Sequence, residues 1–436
     1  EGVALDLKGK IDPLAQPLIE DGVVVGMVVG IVKAGETQIL AYGETTKGSK
    51  ELPTADSVYE IGSVTKAFTG VLLADAIRQG KVRLDDPLQR YVPERVTVPK
   101  KDDQIITMRH LVTHTSGLPR VPGNFRPADP TRPYVDYDRK KLFDFLADIE
   151  LSRPPGKYEY SNYAMGLLGT TLGDRWQGNY EGALTRRILE PLKLHDTRIT
   201  LNDSMRKRMV QGYNAALKEE PVWDFDAFAG AGAIRSTASD MVKFIQANLR
   251  KDDSTITIAL HNAHVKQPHP KDGQQMALGW HIAGDGITRW HNGMTGGYHS
   301  WLAIVPDQDM GVVVLSNTAS MRVTAFGEQV TRIAFGADVE PPARRKEIEL
   351  AADDLKRYVG VYPLTAEFKL NVTLDEGKLM VQATGQPKVE VYPESPTKFF
   401  YKVVDAQITF VLNEDGTVEK LILHQLGRNM EAPRQR

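Results

Sequence analysis

The stretch Val64 to Gln79 constrains this chain more than any other. Phe68, Val71, Leu72 and Ala76 recur at helical spacing, and Ala67, Leu73 and Ile77 fill most other faces. The segment therefore predicts a helix that is apolar nearly all round and ends at Gly80. Such a helix needs other elements packed around it, so it belongs in the centre of a large domain. Lys66 lies near its start, and Ser63 stands three residues earlier. Residues three apart on a helix share a face, which puts that hydroxyl and that amine within hydrogen-bond reach. A chance Ser-x-x-Lys with its lysine in solvent is the plainer reading, but this helix offers little solvent.

The rest of the chain supplies the surroundings. Val23 to Val32, the turn Ala34-Gly35-Glu36, and Thr37 to Tyr42 read as a β-hairpin. Ser300–Val305 and Gly311–Ser316 around Pro306-Asp307-Gln308-Asp309 give a second one. Helices are expected at Lys140–Ile149, Tyr163–Asp174, Tyr180–Leu189 and Ala238–Asn248, the last opened by a capping-box-like Thr237-Ala238-Ser239-Asp240. Strands at both ends with helices between them indicate one α/β domain, residues 1–338. Pro-rich, charged Glu340-Pro341-Pro342-Ala343-Arg344-Arg345-Lys346 marks a linker at 339–349. Beyond it, Leu370, Val372 and Leu374 alternate with polar residues, as do Leu379 and Val381, then Ile408, Phe410 and Leu412. Turns at Asp375-Glu376-Gly377-Lys378 and Asn413-Glu414-Asp415-Gly416 complete the pattern of a small all-β sandwich or barrel, residues 350–436.

Composition removes several function classes. With 54 basic against 56 acidic residues the net charge is -2, without the basic excess that grips a phosphate backbone, so nucleic acid is not an expected partner. There are no cysteines, hence no disulfide, thiolate nucleophile or Cys-ligated metal. The longest strongly apolar run, Val23 to Val32, falls short of the ~20 residues that cross a bilayer. It reads as a buried strand.

Two further segments carry chemistry-bearing residues. Tyr160-Ser161-Asn162 follows Pro154-Pro155-Gly156-Lys157 and precedes a helix. It reads either as a Ser or Asn helix cap with a packed tyrosine, or as a phenol and an amide presented to a site. His291-Asn292-Gly293-Met294-Thr295-Gly296-Gly297 precedes the strand at Ser300. It reads either as a Gly-rich turn with a surface histidine, or as a place where another backbone approaches closely.

Taken together, in this order and spacing, the three segments resemble the serine hydrolases that include penicillin-binding proteins and β-lactamases. The likeness is closest to class C β-lactamases, DD-carboxypeptidases, D-aminopeptidases and related esterases, whose motifs are Ser-x-x-Lys, Tyr-x-Asn and Lys-Thr-Gly or His-x-Gly. Here Ser63 with Lys66, Tyr160 with Asn162, and His291 with Gly293 stand at those places. Thr113-His114-Thr115-Ser116-Gly117-Leu118-Pro119 and Ala231-Gly232-Ala233-Ile234-Arg235-Ser236-Thr237 are similar as well, so the resemblance spans roughly residues 15 to 335. The tail, with Gly385-Gln386-Pro387, resembles the lipocalin-like β domain attached to some members.

The resemblance implies an antiparallel sheet flanked by helices, with an all-α cluster beside it, and an acyl-enzyme mechanism. Ser63 would attack a carbonyl while Lys66 and Tyr160 handle its proton. The backbone N–H groups of Ser63 and Met294 would form the oxyanion hole. Asn162 would hold the substrate amide and orient Lys66, and His291 would line the site where a substrate carboxylate sits. Neither metal nor cofactor is expected. Class C β-lactamases usually carry lysine where this chain has His291, and a mostly neutral histidine pulls less on a carboxylate. Substrates are expected among β-lactams, D-amino-acid-containing peptides and small esters; a slow-turnover penicillin or peptidoglycan sensor is the reading from a different class. Export to the periplasm or medium is an expectation of the resemblance, compatible with a chain that begins Glu1-Gly2-Val3; oligomeric state stays open.

Other candidates are weaker. His261 and His264 are three apart but lack an evident third zinc ligand. His114 is expected to brace a loop near the site. Gly230-Ala231-Gly232 lacks the strand-to-helix setting of a dinucleotide fold. The aromatics from Trp223 to Phe228 suit either a cleft wall or the core.

Overall fold

The computed structural model describes residues 5–268, 273–341, 345–386, 388–402, 404, 406–425 and 428–435. The central elements in chain order are α1 (Lys8–Glu20), β1 (Gly26–Lys33), β2 (Glu36–Gly43), α2 (Thr65–Arg78), α3 (Asn162–Arg175), α4 (Ala238–Leu249), β3 (His281–Ile282), β4 (Arg289–Met294), β5 (His299–Val305), β6 (Met310–Ser316) and α5 (Arg322–Phe335). Among the described residues β1 to β6 form one antiparallel sheet in the order β2-β1-β6-β5-β4-β3. β1 pairs on one side with β2, from Gly26↔Gly43 to Lys33↔Glu36, and on the other with β6, from Met27↔Ser316 to Lys33↔Met310. The two distant hairpins thus lie side by side. The first strand starts at Gly26 rather than Val23, because Val23 and Val24 donate their N–H groups to the Leu18 carbonyl at the end of α1.

Side-chain alternation divides the sheet between two cores. Trp301, Ala303 and Val305 of β5 face α1 and α5, where Ile11, Leu18, Phe326 and Val330 meet them. Leu302 and Ile304 face the helical cluster around α2, α3 and α4. α2 lies within that cluster with Thr65 to Ala76 buried along its length. α1 carries Pro13 and Pro17, which hide it from a periodicity reading, yet Leu14, Ala15 and Leu18 bury against the sheet. The segment Tyr180–Leu189 begins as an α-turn and widens into a π-helix at Thr185. At the start of α4, Thr237 Oγ1 accepts from Asp240 N–H, but the Asp240 carboxylate turns to Asp196 N–H and Thr197 Oγ1, so only half of a capping box forms.

The C-terminal strands β7 (Gly360–Pro363), β8 (Lys369–Asp375), β9 (Lys378–Ala383), β10 (Lys388–Pro393), β11 (Lys398–Tyr401), β12 (Ala406–Leu412), β13 (Val418–Gln425) and β14 (Arg428–Pro433) form an up-and-down antiparallel sheet in sequence order. The sheet curls until Gln435 N–H, just past β14, donates to the Val361 carbonyl on β7, which nearly closes a barrel. Tyr358, Tyr362, Phe399 and Phe410 fill it. Pro387, and Pro342, Ala343 and Arg344 of the linker, lie outside the described residues, as do Glu1, Gly2 and Val3. No helix among the described residues is long and apolar enough to cross a membrane.

Candidate active site

Ser63 sits in a 3-10 turn, Gly62–Val64, that leads directly into α2. Two glycines let strand β4 approach that turn. Gly62 holds a left-handed φ of 49°, and a Cβ on it would lie 2.8 Å from Met294 N. A Cβ on Gly293 would lie 2.0 Å from the Ile61 carbonyl oxygen and 2.9 Å from Ser63 N. Ser300, opposite Gly293 on β5, locks the contact by donating Oγ–H to the same Ile61 carbonyl at 2.8 Å. The backbones of Gly62–Ser63 and Gly293–Met294 are thereby pressed together. β3 pairs only with Arg289 and Trp290, so beyond them the outer edge of β4 carries no strand among the described residues.

Three polar atoms converge on one another. Lys66 Nζ lies 2.9 Å from Ser63 Oγ and donates to the Ala231 carbonyl at 2.7 Å, and Tyr160 Oη donates to Ser63 Oγ at 2.8 Å. Lys66 is fully buried. Burial above all, and then the charge of Arg120, hold its amine well below the ordinary lysine range. Burial pushes the Tyr160 phenol the opposite way, so it meets Ser63 as an O–H donor. Lys66 Nζ also stands 4.9 Å from the Tyr160 ring centroid.

The Tyr160 segment is held by residues on both sides. Ser161 caps α3 by accepting from Ala164 N–H at 2.9 Å, and its own hydroxyl donates to the Pro119 carbonyl at 2.6 Å. Ser161 is thus the cap, while Asn162 begins the helix and lines the cleft. Asn162 Oδ1 is buried with no partner among the described residues. Lys66 donates its second hydrogen bond to the Ala231 carbonyl, and among the described residues it makes none with Asn162. His114 accepts from Ser161 N–H at Nδ1 (3.1 Å), accepts from Glu159 N–H at its carbonyl (2.8 Å), and packs its ring 4.5 Å from that of Tyr160.

His291 is not a surface histidine in a turn. It lies on β4, only 1% exposed, and its Nδ1–H donates to the Asn292 carbonyl at 2.6 Å. Nε2 is left as a buried acceptor without a partner among the described residues. Its ring stacks on His281 at 4.7 Å, and burial, His281 and Lys66 keep it well below the imidazole range, hence neutral. Burial likewise lowers His281 to about 4. His281 escaped sequence reasoning because nothing local marks a lone histidine that becomes the stacking partner of another strand's residue.

Ser63, Tyr134, Asn162, Trp223, Phe225 and Met294 line a cleft at the reactive hydroxyl. Trp223 and Phe225 therefore form its wall. Behind them, Trp223 N–H donates to buried Glu60 at 2.6 Å, and Arg235 bonds the Trp223 carbonyl and the Asp224 carboxylate. Burial raises the Glu60 carboxyl to about 7 against the pull of Arg235. His264 packs edge-on against Trp280 and His261 points to solvent; among the described residues no group of three His, Asp or Glu is placed to hold a metal.

A family model for β-lactamase matches residues 11–332, and one for a domain of unknown function matches 344–434. The chain is 29% identical over 327 residues to the D-alanyl-D-alanine-carboxypeptidase/endopeptidase AmpH of Escherichia coli (strain K12), covering 70% of this chain and 82% of that one. It is 26% identical over 429 residues to penicillin-binding protein 4* of Bacillus subtilis (strain 168), covering 90% of each. Its backbone is similar to a β-lactamase/D-alanine carboxypeptidase from Yersinia pestis, with a TM-score of 0.65 and 26% identity over 75% of this chain and 97% of that one. A Ser63–Lys66–Tyr160 cluster within this sheet-and-helix frame, and a family match over most of the chain's length, make one conclusion plain: the protein belongs to the β-lactamase family.

Proposed function

We propose that this protein is a serine hydrolase that forms an acyl-enzyme on Ser63 and acts on β-lactams or on amides of D-amino-acid-containing peptides. The observation that carries the reading is the placement of Ser63 Oγ, 2.9 Å from a buried amine and 2.8 Å from a phenol. Serine is a weak nucleophile until a base takes its proton. A lysine whose pKa is depressed by burial gives up its proton more readily than a free one, and its lone pair is then available for that of serine. Ser63 Oγ bonds to the carbonyl carbon, its proton passing to Lys66. The negative charge on the carbonyl oxygen is met by the N–H groups of Ser63 and Met294. Collapse breaks the bond to the leaving amine, which takes the proton back through Tyr160. Water then attacks the ester carbonyl, passing its proton to Lys66 by way of Tyr160; the ester bond to Ser63 breaks, and Ser63 Oγ takes that proton back.

In this reading Asn162, with an unused buried acceptor, holds the substrate amide N–H, and His291 lines the site as a neutral group. Relatives named as a carboxypeptidase, a penicillin-binding protein and a β-lactamase support both substrate classes. A small-ester hydrolase is the alternative, since the same machinery cleaves activated esters. Export, and a division at 339–349 between hydrolase and tail, belong to the same proposal. The deciding experiment follows intact-protein mass after mixing with a penicillin. A Ser63 adduct that persists indicates a penicillin-binding peptidase or sensor. A transient adduct with hydrolysed drug indicates a β-lactamase, and an untouched drug moves the esterase first. Labelling that survives in Ser63→Ala overturns the assignment of the nucleophile.

A further inference from the structure

The residues lining the cleft carry no formal charge. The two cationic candidates near it are both spent: Lys66 is buried beside Ser63, and His291 is buried and neutral. Just outside stands Arg120. Its backbone carbonyl accepts from the N–H groups of Asn162 and Tyr163, at 3.0 and 3.2 Å, which pins it to the start of α3 beside Asn162. Its guanidinium carbon lies 4.9 Å from the Tyr160 ring centroid. The residue is exposed, and among the described residues its side chain forms no ion pair and no hydrogen bond. A guanidinium held by ring stacking, with its N–H donors unclaimed, is set to receive a planar oxyanion in bidentate fashion.

We propose that Arg120 is the substrate-recognition residue of this site, binding a carboxylate on the substrate at the mouth of the cleft in place of a cation on β4. This rests on the hydrolase reading above and deepens it: the preferred substrates are esters and amides bearing a carboxylate near the scissile bond. The charge also reaches the reacting groups, since it acts on Lys66, Tyr160 and Tyr134. A test must separate recognition from that influence.

Three esters serve: p-nitrophenyl acetate, mono-p-nitrophenyl succinate with its carboxylate in the acyl part, and 3-carboxyphenyl acetate with its carboxylate in the leaving group. The readout is the ratio of kcat/KM for each carboxylate ester to that for the neutral one, which cancels changes in Lys66 basicity. In Arg120→Gln the ratio for at least one carboxylate ester falls about 10- to 100-fold, carried by KM, and Arg120→Lys retains part of it. A ratio unchanged in Arg120→Gln overturns the proposal. So does an equal loss on all three esters with a displaced pH profile, which assigns Arg120 to tuning Lys66. A second measurement is independent of turnover: calorimetry of N-acetyl-D-alanine against its amide on Ser63→Ala. The acid binds more tightly, and the difference disappears when Arg120→Gln is added. If it does not disappear, the proposal fails. If Ser63→Ala still hydrolyses the esters, the hydrolase reading fails instead.

Discussion

At the scale of single residues, the proposed chemistry turns on an amine whose pKa burial lowers. In that mechanism the rate-supporting form of Lys66 is the unprotonated one. kcat/KM should therefore rise with pH as Lys66 loses its proton, and reach its plateau well below the ordinary lysine range, because burial lowers that pKa. A limb that climbs only near the pKa of a free lysine removes Lys66 as the base. Lys66→Met should cut acylation by about 10²- to 10⁴-fold, read as the rate of adduct formation by mass. Gly293 is as unforgiving for a steric reason. A methyl there meets the Ile61 carbonyl at 2.0 Å, so Gly293→Ala should displace β4 from the Ser63 turn and lower both activity and Tm. An active, equally stable variant contradicts the close approach. Ser63 with Lys66 was legible in the chain because three-residue spacing on an apolar helix gives a shared face, and the resemblance of the three motifs together singled that pair out. His281 and Arg120 were not, since their meaning comes from rings contributed by distant segments.

At the scale of elements, the cleft wall is held from behind by a buried carboxyl. The short strand pair Val58–Glu60 with Arg235–Thr237 brings Glu60 and Arg235 together under the Trp223 segment. Folding raises the Glu60 pKa from 4.5 to about 7, so the native state favours the protonated form. Its contribution is fully present below 4.5 and is lost as pH rises through about 7. Wild type should accordingly lose stability relative to Glu60→Gln over that window, measured by thermal unfolding at a series of pH values. A difference that stays flat with pH disproves the raised pKa. The helices at Arg139–Asp148, α3 and α4 match their sequence expectations closely, since polar caps and apolar stripes are local signals. α1 was not foreseen. Its two prolines argue against a helix locally, and burial of Ile11, Leu14 and Leu18 overrides them.

At the scale of the whole molecule, no described residue of the tail lines the cleft. Phe400, Tyr401 and Lys402 share a groove with Leu14 and Leu18 of α1 and Phe326 of α5, while the cleft at Ser63 is lined by residues between Gly62 and Thr295 alone. His291 and Gly293 point to the helical-cluster face of the sheet, and α1 and α5 cover the other, so the tail rests behind the sheet from Ser63. A chain ending at Pro341 should keep its kcat/KM on a small ester and lose a few degrees of Tm as that groove is uncovered. A large fall in kcat/KM with Tm unchanged would overturn this placement. The α/β class, the all-β tail and the Ser-x-x-Lys helix follow from local pattern, because the periods of helix and strand and the turns between them are written in neighbouring residues. Long-range packing sets which β4 edge meets Ser63, that Lys66 donates to Ala231, and which face the tail occupies. Those are contacts between segments as far apart as Ile61 and Ser300, 239 residues, and a local pattern records that a face is buried but not what buries it.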